Sequence, residues 1–179
     1  MAFRLLDING KPVGVNLTLR GNIVCENTLE NSVHGGRRYF VRNFQTMATD
    51  EVVNFLVVPV EGYDIHFEAE LTSDILCEVE TLYGVTVSDY GEELTPLNQN
   101  QNYRPISPNV GFYKDVTYSG GISSMKSKID ANRKTTSSRY DTGEFVLAYP
   151  YKTLIKITAS NNGYVTWNFG FSEIPAYSY

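Results

Sequence analysis

The segment DIHFEAELT puts Ile65, Phe67, Ala69 and Leu71 at alternate positions, with His66, Glu68 and Glu70 between them. Side chains of an extended strand point to opposite faces in turn, so this spelling writes a strand with one apolar and one polar face. YVTWNFGFSEI repeats it, with Val165, Trp167, Phe169 and Phe171 set against Thr166, Asn168, Gly170 and Ser172. Such strands need a partner surface for one face only, which two facing sheets provide. The expectation is an all-β chain, a β-sandwich or jelly-roll-like fold with long loops and an extended N-terminal arm.

Other segments agree. NFLVVPV and LIKITAS are short β-branched runs, and Pro59 marks the first as an edge or a strand end because proline donates nothing to a ladder. Asn9-Gly10 and Asn162-Gly163 supply residues suited to tight turns, the second expected to join the last two strands as a hairpin. Only SSMKSKIDANRK has room for a turn or two of helix, and its Ser, Lys and Asn content fits an exposed loop equally well. The chain divides into an arm over residues 1–31 and a single sandwich domain over 32–179. A middle excursion from about Asp89 to Thr142 holds the tracts LNQNQNYRPISPN and KSKIDANRKTTSSRYDTG, both poor in core-building residues, and a final hairpin spans Glu144 to Ile174.

At 179 residues one domain with a real core is expected, and no stretch approaches the about twenty apolar residues of a membrane span. MAFRLLDINGKPVG is too polar for a secretory leader, so export by that route is not expected. Cys25 and Cys77 lack metal-site or redox spacing; they read as two buried thiols, with a single disulfide left open. A formal net charge of −5 argues against a nucleic-acid groove. The one basic cluster, Arg37, Arg38 and Arg42, reads as a solvated turn and strand edge.

Chemistry is sparsely written. His34 before Gly35-Gly36 lacks the frame of a phosphate loop and reads as a strand-entry turn. His66 with Glu68 and Glu70 shares one strand face, whereas metal sites converge ligands from several strands; no metal or other cofactor is expected. The acid pairs Glu92-Glu93 and Glu78 with Glu80 are adjacent or on one strand, and no nucleophile elbow is present. No catalytic residue is assigned, and a non-enzymatic role is expected.

One internal echo stands out. In LYGVTVSDYGEEL and FYKDVTYSGGISSM, Tyr83 matches Tyr113, Val85 to Ser88 matches Val116 to Ser119, Gly91 matches Gly121, and Leu94 matches Met125. Each copy reads as a strand end running into a tight turn, a local duplication rather than a solenoid. Between the copies lies PLNQNQNYRPISP.

The order aromatic, Val-Thr-x-Ser, Gly, Asn-x-Asn-x-x-x-Arg, then the strand-turn phrase again, resembles a family of small proteins encoded beside the major capsid protein of tailed bacteriophages. VHGGRRYF, VVPVEGYDIHFEAEL, GEFVLAYPYKTLIKITAS and VTWNFGFSE extend the likeness over about Ser32 to Glu173. The chain departs from the family at Gly91-Glu92 and Gly121-Ile122, where Gly-Thr is common. In the tract Arg104 is the only basic residue. The resemblance implies a virion protein on the capsid exterior, made in the host cytoplasm, that decorates or cements the shell or carries a head fibre. Its partners would be the major capsid protein and further copies of itself, a homotrimer by preference or a dimer, with no nucleic acid or membrane.

Candidate contacts are Asn98, Asn100, Asn102, Tyr103 and Arg104 in the tract, and Phe3, Leu5 and Leu6 in the arm. Tyrosine gives large contact area at low rotamer cost and amides satisfy backbone edges. An ordered loop held by its own Asn side chains explains the tract as well. A carbohydrate-binding or host-attachment module is the alternative, although the alternation of Trp167 with apolar residues places its ring in the core.

Overall fold

The computed structural model describes residues 36–100, 108–129 and 138–175. The arm of residues 1–31, with Asn9-Gly10 and Cys25, lies outside the described residues, as does His34. The described residues contain no helix and thirteen strands: β1 Arg38–Met47, β2 Val52–Pro59, β3 Tyr63–Ser73, β4 Cys77–Tyr83, β5 Thr86–Asp89, β6 Glu92–Glu93, β7 Leu97–Asn98, β8 Val110–Lys114, β9 Thr117–Ser119, β10 Ile122–Ile129, β11 Ser138–Ala148, β12 Thr153–Ala159 and β13 Gly163–Pro175. Sheet one runs β11-β3-β13-β1-β7, sheet two β10-β4-β12-β2-β8-β6, and β5 with β9 forms a separate ribbon. The fold is all-β and has the form of a β-sandwich.

The ladders nest. β4 pairs with β10, β3 with β11, β2 with β12 and β1 with β13, all antiparallel, so the chain doubles back on itself from its middle outward. Additional ladders between β13 and β3 and between β12 and β4 wrap this ribbon into two sheets. Consecutive strands β1 to β4 therefore alternate between the sheets, and each pleat sends one set of side chains inward.

Those inward sets match the alternation read from the sequence. Ile65, Phe67, Ala69 and Leu71 are fully buried, as are Val165, Phe169 and Phe171 beside Trp167. Phe55 from sheet two meets Trp167 at 4.8 Å and Phe169 at 4.9 Å from sheet one. Phe67 and Phe112 stack around the same centre, at 5.8 and 5.4 Å from Phe169. Cys77 holds a free, buried thiol 3.5 Å from Ser73 Oγ, and burial pushes its pKa up.

Pro59 ends β2, the strand end expected of it, and β2 itself lies inside sheet two between β12 and β8. The last strands are not a hairpin: β12 belongs to sheet two and β13 to sheet one, so residues 160–162 cross between layers. Gly163 is not left-handed; it is bare because a Cβ there would run into Ile75 Cγ2 and Asp74 Oδ1. The crossing is fastened by amides instead, Asn161 Oδ1 accepting from Leu76 N–H at 3.1 Å and Asn162 Oδ1 from Thr49 N–H at 2.8 Å.

SSMKSKIDANRK, read as a turn or two of helix or as loop, lies within strand β10 as far as Ile129, and its remaining residues are outside the described ones. Its lysines obscure a period of two: Met125 and Ile129 pack on the core, while Lys126 reaches Glu78 at 2.7 Å. Between the two polar tracts of the middle excursion, β8 contributes Val110 and the fully buried Phe112 to the core.

Candidate functional site

The two copies of the echo pair with each other. β5 lies antiparallel to β9, Thr86 opposite Ser119 and Val87 opposite Tyr118, with a bulge at Ser88. Each copy leaves its parent strand through a left-handed residue, Gly84 at φ 69° and Asp115 at φ 57°, and then buries a valine, Val85 or Val116. These valines cover Leu56 and Leu154, which alternate with core residues and so point away from the inter-sheet core. The ribbon is thus a third layer on sheet two. Asn54 clamps it, its Oδ1 accepting from Val116 N–H at 2.9 Å and its carbonyl from Asp115 N–H at 2.9 Å. On the other side, Lys152 donates to Tyr90 Oη at 2.7 Å.

Of the candidate contacts, Asn98 and Asn100 are described; Phe3, Leu5, Leu6, Asn102, Tyr103 and Arg104 lie outside the described residues. Asn98 Nδ2 donates to Gly36 O at 2.7 Å, and its Oδ1 accepts from Asn100 N–H at 2.8 Å. The side chain is spent fastening β7 beside the entrance to β1.

What surrounds β1 was not legible in the sequence. β7 pairs with it only at Tyr39 and Phe40, so from Arg42 onward no strand flanks that side among the described residues. Phe44 N–H bonds its own neighbour, Asn43 Oδ1, at 2.9 Å. Phe44 is 66% exposed and Leu97 60% exposed. They flank an open cleft of about 290 Å³ whose lining includes Trp167, Lys114 and Glu92. The Trp167 Nε1 donor at its wall is buried and without a partner.

The basic cluster is also rearranged. Arg38, expected in solution, is buried; it donates to Glu68 Oε2 at 2.7 Å and to Ser172 Oγ at 3.1 Å. β1 carries it on the outer face of sheet one opposite Ser172 of β13, and its guanidinium lies over Gly170, where a Cβ would come within 2.8 Å of Nη2. The polar face of His66, Glu68 and Glu70 is therefore partly engaged rather than merely wet. Glu78 and Glu80 each meet a lysine, Lys126 at 2.7 Å and Lys156 at 3.7 Å. Among the described residues no group of three or more His, Cys, Asp or Glu is placed to hold a metal ion, and no helix is long and apolar enough to cross a membrane.

One buried carboxyl is perturbed. Burial pushes Glu173 above the usual carboxylate range, against hydrogen bonds from Asn109 N–H and Nδ2 and the nearby Arg37 charge. The folded state holds this proton more tightly than the unfolded chain does. The stability it contributes is full below the ordinary carboxyl pKa and is lost as pH rises through the raised one. Glu173→Gln is expected to flatten that part of the stability–pH curve, as read by urea denaturation at a series of pH values. An unchanged slope would refute the assignment.

Comparison of the chain with protein-family models, with curated proteins and with solved structures gives no match.

Proposed function

We propose that the chain is a non-enzymatic virion protein bound to the outer surface of a tailed-phage capsid, decorating or cementing the shell. The observation that carries this reading is the length of β1 that no strand flanks among the described residues, beside exposed Phe44 and Leu97. A free strand edge beside apolar side chains is a template for another chain, and soluble proteins normally blunt or cover it. Many copies on a lattice multiply a modest contact of this kind by avidity. The nested ribbon, which we read as jelly-roll-like, is an architecture used by viral capsid and lectin domains alike, so the fold agrees with the role without selecting it.

The partners are the major capsid protein and further copies of the chain, a homotrimer straddling neighbouring capsomers by preference over a dimer, with a head fibre as an additional passenger. A sugar-binding module built on Trp167 is disfavoured, because that ring is 2% exposed. The test is co-sedimentation of the protein with capsids, with native mass measurement of the free protein. Binding to heads, and its loss in the double variant Phe44→Asp, Leu97→Asp, is the expected result. A free monomer that never sediments with capsids would sink the proposal.

A further inference from the structure

A second groove lies where the inter-sheet space opens beside the β11–β12 turn, with a volume of about 290 Å³. Its walls include Thr81, Tyr83 and Thr153 from sheet two, Ser124 at the bulge of β10, and Val146 and Tyr151. The register sets Tyr83 opposite Thr153, and Gly84 N–H donates to Lys152 O at 2.9 Å, which brings the two tyrosines to one rim. Tyr151 is 62% exposed and Tyr83 40% exposed. Lys152, next to Tyr151 in the chain, is turned away to the Tyr90 hydroxyl.

Thr81 makes the groove more than a gap. It is 4% exposed, and its Oγ1 has no hydrogen-bond partner. Its carbonyl is already served by Ser124 Oγ at 3.1 Å, so the bulge supplies the backbone and leaves the buried hydroxyl unpartnered behind the groove wall. A buried hydroxyl without a partner is costly and is normally completed by water or a ligand. Among the described residues no charged side chain lines the groove. The ligand that fits is neutral, with one apolar face for a tyrosine ring and a hydroxyl edge for threonine.

We propose that this groove binds one pyranose ring of a neutral glycan, its C–H face against Tyr151 or Tyr83 and a ring hydroxyl bonded to Thr81 Oγ1. The site is remote from Trp167 and independent of the capsid reading, since a sugar can bind whether or not the protein sits on a shell.

The test is titration of the full chain with the methyl glycosides of glucose, galactose, mannose and N-acetylglucosamine at millimolar concentration, read by backbone amide shifts. Shifts centred on Thr81, Tyr83 and Tyr151 are expected for at least one sugar. Tyr151→Ala should weaken that binding by about tenfold and Tyr151→Phe should preserve it, because the ring face and not the hydroxyl makes the contact. Thr81→Val, which keeps the shape of the side chain, should weaken it by roughly threefold to tenfold. Because Tyr151 is exposed, its variants report on binding without threatening the fold. Absence of shifts at the groove with every sugar overturns the proposal. So does binding that is indifferent to both Thr81→Val and Tyr151→Ala, which would leave the hydroxyl a water site only.

Discussion

Phe169→Ala is expected to lower the stability of the sandwich by about 3–5 kcal/mol, a large share of what a domain of this size has. The ring is fully buried and touches Phe55, Phe67 and Phe112, at 4.9, 5.8 and 5.4 Å. Those partners come from β2, β3 and β8, so one ring joins both sheets. Close-packed neighbours with fixed strand registers relax only in part into the space left behind, and the cavity adds to the lost transfer energy. Phe169→Leu, which fills most of that space, should cost under about 1.5 kcal/mol. The chain has a single tryptophan, and it sits 4.8 Å from Phe55, so its fluorescence during urea denaturation reads the transition directly. A loss below about 1 kcal/mol for the alanine variant would mean that the sheets do not meet at this ring.

The second large effect concerns the paired echo. Gly84 and Gly91 are both left-handed, at φ 69° and 62°. A Cβ at Gly84 meets nothing within 4 Å, so Gly84→Ala should cost only the backbone strain, about 1–2 kcal/mol. A Cβ at Gly91 would land on Lys114 O and lie 2.6 Å from Asp115 O. Neither oxygen has anywhere to go: Lys114 is laddered to β2 and β6, and Asp115 N–H is held by Asn54 O. Gly91→Ala should therefore cost roughly 2 kcal/mol more than Gly84→Ala. Thermal denaturation of the two variants side by side decides it; equal costs would show that the ribbon yields freely at Lys114.

The sequence made individual strands legible and left their partners obscure, for a physical reason. Alternation at Ile65, Phe67, Ala69 and Leu71 reports which face of a strand is dry, a property of the strand alone. Pairing depends on a second segment far along the chain, which is why β12 and β13 looked like a hairpin although they lie in different sheets. The echo was readable as strand and turn, but the pairing of its two halves needed their geometry. β10 was missed because its apolar positions alternate with lysines that the acids of β4 attract. At the candidate sites, Asn98 was picked out by its tract and proved to be bonded within the chain. The edge that β1 presents among the described residues could not have been read at all, because it depends on how soon β7 leaves β1, and nothing in the residues of β1 spells that. Tyr83, Thr81 and Tyr151 become neighbours only through the ladder between β4 and β12.

The placement of β13 governs how sheet one can be taken apart. Of the described strands it is the last in sequence, yet it occupies the middle of that sheet, between β3 and β1, and pairs with both. Losing residues 163–175 would therefore not trim an edge; it would part the sheet into the pairs β11–β3 and β1–β7, as lifting out a keystone parts an arch.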